Sequence, residues 1–170
     1  MATFLILLAI VAFVAAYYYI PRALSRGTAK VMYKNTNARG LDEVYTVTSF
    51  TAPVAPAALQ RAIDTHLALP HNVPPLLGNL HVSEIRDDRL RIALGNKLRT
   101  EWTGVATFGP DTSGGTTGTY RVTHWTLHDG VIQSSNLTEG MTRVRDQITT
   151  AITDEGGAAR THLVPAAERK

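Results

Sequence analysis

Along the chain, apolar and polar positions follow three different patterns. From residue 2 to residue 20 the sequence is apolar at every position but Thr3 and carries no charge. A bilayer core of about 30 Å needs about 20 apolar residues in helical form, so this run predicts one membrane-spanning helix, residues 1–21. Between residues 42 and 134 the pattern shortens to strands. Residues 42–51 are rich in β-branched and aromatic side chains and predict a first strand. Pro56 suits a first helical position, and Leu59, Ala62, Ile63 and Leu67 follow at helical spacing, giving a short helix that ends before Pro70. Pro74, Pro75 and Gly78 make residues 71–78 an ordered loop. Residues 80–86 and 89–96 read as a hairpin turned at Asp87-Asp88; Leu90, Ile92 and Leu94 alternate with Arg89, Arg91 and Ala93, one face buried and one wet. Residues 100–108 and 117–127 form a second pair around a polar, glycine-rich loop, and residues 131–134 offer a short sixth strand. The last pattern is helical: Met141, Val144, Ile148, Ala151 and Ile152 share one stripe, Asn136 and Glu139 stand at capping-box spacing, and Gly156-Gly157 ends the helix.

The expected fold is therefore α+β: a transmembrane helix, a basic linker or frayed continuation of that helix over residues 22–41, and a domain over residues 42–156. In that domain an antiparallel sheet of five or six strands packs against one short helix and one long C-terminal helix. Residues 157–170 carry no pattern and are expected to be a flexible tail. No internal repeat is visible.

Charge changes the meaning of this layout. The whole chain is +3, but Arg22, Arg26, Lys30, Lys34 and Arg39 precede the first acid, Asp42, so the segment behind the apolar run is +5 and residues 40–170 are −2. Cations flanking a span stay on the cytoplasmic side, which predicts an external N-terminus and a cytoplasmic domain at the cell membrane. Tyr17, Tyr18 and Tyr19 sit where aromatic rings favour the headgroup layer; with Arg22, Arg26, Lys30 and Lys34 they make the expected membrane interface. The competing reading is a cleaved signal and a secreted domain, for which Val14-Ala15-Ala16 offers a small-residue site. Against it, no cation precedes the apolar run, and the run exceeds the usual length of a signal's apolar region. There is no cysteine, which excludes disulfides, thiol nucleophiles and Cys-ligated metals. Arginine outnumbers lysine 13 to 4, a bias that suits a high-GC bacterium.

The strand at residues 44–51 running into the Pro53/Pro56 helix, together with residues 120–127, Asp129-Gly130 and the helix at 141–153, resembles the START-like helix-grip superfamily, also called SRPBCC or polyketide-cyclase-like. There a curved antiparallel sheet grips a long C-terminal helix. The resemblance implies a cavity for a small apolar ligand between sheet and helix; Trp102, Tyr120, His124 and Trp125 are its candidate lining residues, though the aromatic three also suit packing of the sheet.

Catalytic motifs are not found. His124 and His128 lie four apart on a strand, about 13 Å, too far to share a zinc. His66 and His71 straddle Pro70, His81 lies on another strand and His162 falls in the tail. Ser113 and Ser134-Ser135 lack a nucleophile elbow, and Gly114-Gly115-Thr116-Thr117-Gly118 lacks the lysine of a phosphate loop. The acidic pairs Asp42-Glu43, Asp87-Asp88 and Asp154-Glu155 stand at element boundaries, where turns and caps explain them. No catalytic residue, metal ligand or cofactor is therefore expected. Arg86, Arg89 and Arg91 with Arg99 and Arg121 would give the sheet a basic face, balanced by Glu84, Asp87, Asp88 and Glu101. A domain at −2 lacks the long-range field that nucleic-acid binding requires. Two functions stay open: a membrane-anchored binding or scaffold module in contact with another membrane protein, and a helix-grip carrier of, or enzyme on, a small apolar ligand.

Overall fold

A computed structural model describes residues 28–169 except 30, 129 and 133. The apolar run, Tyr17, Tyr18, Tyr19, Arg22, Arg26 and Lys30 lie outside the described residues, and no helix within them is long and apolar enough to cross a membrane.

The described chain is α+β. In order it forms α1 (Lys34–Val44), β1 (Thr46–Ala52), α2 (Pro56–Leu67), β2 (Asn79–Arg86), β3 (Arg89–Gly95), β4 (Thr100–Pro110), β5 (Thr116–Trp125), α3 (Ser135–Asp154) and β6 (Ala158–Leu163), then a 3-10 turn, Ala166–Glu168. All strand pairs are antiparallel, in the spatial order β2-β3-β4-β5-β1-β6. Alternation along the strands sends Phe50, Leu90, Ile92, Trp102, Ala106, Phe108 and Tyr120 to one face, where they join Leu59 and Ile63 of α2 and Met141, Val144, Ile148 and Ile152 of α3 in one buried cluster. Among the described residues no helix covers the other face. Gln60, buried on α2, donates through Nε2 to the carbonyls of Arg86 (2.7 Å) and Arg89 (2.9 Å), so the helix staples the Asp87-Asp88 hairpin.

Four expectations are corrected. The first strand begins at Thr46 and not at residue 42, because Asp42, Glu43 and Val44 form the last turn of α1, within the stretch expected to be a linker. That helix is held by tertiary contacts: Gly40 lies against Ile132 with no room for a Cβ, the Ile132 N–H donates to Asn37 Oδ1 (2.9 Å), and Arg145 bonds the Glu43 carboxylate. The sixth strand is residues 158–163 of the expected tail and not 131–134, where Val131 makes only a bridge to His128. β6 pairs with β1 over six register positions, since β1 would otherwise be an open edge. The tail beyond it is also tied down: Val164 N–H donates to Tyr45 O (2.9 Å), and Arg169 Nε–H to Val164 O (3.0 Å). Lastly, α3 starts at Ser135, so Asn136 lies inside its first turn, and the N-cap Ser134 makes no side-chain capping bond.

Candidate binding surface

The uncovered face of the sheet is polar because every second residue of each strand points there. Register aligns two rows across it. One runs His162, Val47, Arg121, Val105, Arg91, Glu84; the next runs Arg160, Ser49, Thr119, Thr107, Arg89, Arg86. The hydroxyls of Thr107 and Thr119 bond across the second row (3.0 Å).

The basic face expected from sequence divides in two. At the β2–β3 end the cations are matched by acids: Glu84 pairs with both Arg86 and Arg91, the latter at 3.3 Å, and Asp88 takes two bonds from Arg89 (3.1 and 3.2 Å). The Arg89 bonds hold the Asp88 carboxyl below the ordinary carboxylate range. Arg99 is not on the face; it sits in the β3–β4 turn, against Glu101 (2.9 Å) and His128. At the other end, exposed Arg121 lies between Val47 and Val105, and exposed Arg160 beside Ser49. Neither has an ion-pair partner among the described residues. Sequence reading assigned Arg160 to a tail, and only the β6–β1 pairing brings it here.

At Arg121 an open groove of about 340 Å³ runs along the ends of β1 and β5, lined by Tyr45, Val47, Thr123, Trp125 and Val164 and, at its edge, by the acid Glu168, which makes no ion pair with Arg121. Tyr45 and Trp125 meet edge to face, ring centroids 5.7 Å apart at 75°, and the Arg169 guanidinium stacks over Tyr45 at 5.1 Å.

The four candidate lining residues do not share one site. Trp125 is half-buried in this groove, and His124 is exposed, in register with Thr103. Trp102 and Tyr120 are wholly buried on the inner face, opposite α3. The Tyr120 ring lies over Gly104, where a Cβ would strike it; burial pushes the phenol above its ordinary value, and its oxygen has no hydrogen-bond partner. Trp102 Nε1 is likewise unpartnered and lies against Gly140, beneath an open groove of about 540 Å³ lined by Leu80, Leu94, Asn136 and Glu139. A shallower groove of about 730 Å³ separates α2 from α3 at Arg61, His66 and Asp154. Lys34 is exposed at the start of α1.

Four of the six histidines have local partners: His71 Nε2 with Asp64 (3.0 Å), His66 Nδ1 near Asp154 (3.9 Å), His81 Nδ1 with Asn79 O (3.0 Å), and His128 with Arg99 and Glu101. Among the described residues no group of three His, Asp or Glu side chains could hold a metal ion.

No protein-family model and no curated protein sequence matches the chain. Among solved structures it is similar to the crystal structure of protein Ms6760 from Mycobacterium smegmatis, at 12% identity and a TM-score of 0.35, over 67% of this chain and 89% of that one. A likeness at that score carries no argument.

Proposed function

We propose that this chain is a membrane-anchored binding module. Residues 2–20 span the bilayer, the five cations of residues 22–39 keep the domain on the cytoplasmic side, and the uncovered sheet face receives an acidic segment of a neighbouring membrane protein. The observation that carries the reading is the pair Arg121 and Arg160, exposed on a face that no helix covers and unmatched by any acid among the described residues, beside the Tyr45–Trp125 groove. Charges of this kind steer encounter and set specificity, while a partly buried aromatic pair supplies the contact that lasts. A photo-crosslinker at Thr123, used in membranes of the source cell, is expected to trap one discrete adduct that the double reversal Arg121→Glu/Arg160→Glu abolishes. No adduct, or one indifferent to the reversal, overturns the reading.

A second reading, a carrier of a small apolar ligand, draws on the unpartnered Trp102 Nε1 beneath the groove at Gly140. Protein purified in mild detergent should then release a near-stoichiometric apolar compound on solvent extraction, seen by mass spectrometry and lost in Gly140→Leu. Extracts holding only detergent and bulk lipid would exclude it.

A further inference from the structure

We propose that the domain makes a second contact with the bilayer, through the apolar tips of two adjacent loops, residues 70–78 and 96–99. The proposal rests on the reading of residues 2–20 as a membrane anchor.

Antiparallel order fixes which loops share an end. The starts of β1, β2 and β4 and the ends of β3 and β5 lie together, so the loop before β2, the β3–β4 turn and the C-terminus of α1 all stand at one end of the sheet. Asn37 and Gly40 of α1 meet Ile132, in the segment that follows β5, near that same end, and Val31 and Met32 before the helix and Lys34 at its start are exposed. Here too are the most exposed large aliphatic side chains of the sheet's loops: Leu98 at 84%, Leu77 at 80% and Leu76 at 76%.

In the 96–99 turn every backbone N–H already has a partner, whereas among the described residues the N–H groups of Leu76 and Leu77 have none. Asn96 Oδ1 accepts from the N–H of Leu98 (2.8 Å) and of Arg99 (2.9 Å), its Nδ2 donates to Leu76 O, and its own N–H donates to Arg99 O (2.8 Å). Lys97 N–H donates to Pro74 O (3.0 Å), and Pro74 and Pro75 have no N–H to satisfy. Asn96 thus binds the two loops into one unit. A loop entering the lipid interface loses water as a hydrogen-bond partner, so the paired N–H groups of the 96–99 turn lower the cost of seating Leu98 there, and the leucines at 76 and 77 reach the interface by their side chains. Leu98 stands between Lys97 and Arg99, and Lys97 has no acidic partner among the described residues. Arg99 is already paired with Glu101 (2.9 Å), so Lys97 is the free cation beside Leu98; an apolar side chain next to such a cation suits the boundary of acyl chains and anionic headgroups, where a long cationic side chain reaches back toward the phosphates. These features select lipid over a second copy of the chain or another protein. Two points of attachment would stand the strands along the membrane normal, so that the arginine face looks sideways, toward other proteins of the same membrane.

The absence of cysteine allows clean single-site labelling. The full chain is reconstituted in phosphatidylcholine/phosphatidylglycerol vesicles as Leu98→Cys, Leu77→Cys, Ser113→Cys or Ile10→Cys, each carrying an environment-sensitive fluorophore. Lipids with nitroxide on the upper acyl chain serve as quencher for the labels at 98, 77 and 113, and lipids with nitroxide near the chain end for the label at 10, which lies at mid-span. Labels at 98, 77 and 10 are expected to shift to the blue and to lose at least half their emission to the quencher, whereas the label at 113, on the opposite end of the sheet, keeps its own. Quenching at 10 with 98 and 77 as unquenched as 113 overturns the second contact and leaves the anchor standing. A blue-shifted but unquenched label at 98 assigns the patch to contact with another copy of the chain and also overturns it. A label at 10 that is not quenched removes the anchor, and this proposal with it.

Discussion

Gly118 and Gly104 show how single residues set the packing of this sheet. Phe50 lies flat over Gly118, its partner in register, and Tyr120 covers Gly104 on the neighbouring strand; a Cβ at either would fall inside the aromatic ring. The rings shield strand backbone that has no side chain of its own. Gly118 is further hemmed in by the Thr107 carbonyl, which cannot move without breaking the β4–β5 ladder. Gly118→Ala should therefore destabilise the domain by about 1–3 kcal/mol, the usual cost of overpacking. Gly109→Ala, whose added carbon would meet one atom at 3.9 Å, should stay within about 0.5 kcal/mol, as a site without such constraints does. Urea unfolding of the two variants in detergent is the check, and equal midpoints would refute the packing account. Arg145 is a second residue whose role tertiary structure decides. It is 5% exposed, and loss of water pulls its pKa down from the ordinary arginine value; the Glu43 carboxylate and the carbonyls of Glu43 (2.9 Å) and Thr46 (3.4 Å) receive it. In sequence it is one more charge on a helix, and nothing near it names a partner a hundred positions away.

Elements were legible where a side-chain pattern has a period. The β2–β3 hairpin, α2, the β4–β5 pair and α3 all announce themselves through alternation or a helical stripe, because each buries one face and that burial is written every second or every third to fourth residue. β6 has no such period, and α1, though as amphipathic as α2 and α3, is too polar overall for its stripe to stand out. Lys34–Val44 buries only Gly40 and Val44, and what holds it is the fit of Gly40 on Ile132 and the grip of Arg145 on its last turn. Ala158–Leu163 buries nothing fully; it is a strand because the edge of β1 presents unpaired backbone groups and any extended segment that reaches it can satisfy them. Residues 131–134 look more like a strand by composition, yet they are taken up by the Asn37 bond and the Gly40 contact of Ile132. The candidate surface inherits this limit. Arg121 was readable as part of a basic face; Arg160, its companion, depended on β6.

At the scale of the whole molecule the proposed orientation makes a direct prediction. With five cations behind the apolar run and no acid before Asp42, the domain should remain in the cytoplasm. A reporter active only outside the cytoplasm, fused after Lys170, should be silent, while one that works only inside should be active; the reverse pattern would revive the cleaved-signal reading. The proposed arrangement then joins three features that are far apart in sequence: the anchor, the Leu76–Leu98 tips at one end of the sheet, and the arginine face turned to the side. By itself the sequence determined what depends on local period and on summed charge: an apolar run of spanning length, a +5 segment behind it, the α+β class, and which faces of α2, α3 and the central strands are buried. Only the tertiary structure decided what depends on contacts between distant residues: a sixth strand drawn from the apparent tail, a helix drawn from the apparent linker, the division of the arginines into matched and unmatched sets, and the scattering of Trp102, Tyr120, His124 and Trp125. The reason is physical. Burial of a periodic face is encoded along the segment itself, whereas edge pairing, a close helix approach at one glycine and the pairing of a charge all depend on which distant segment arrives opposite.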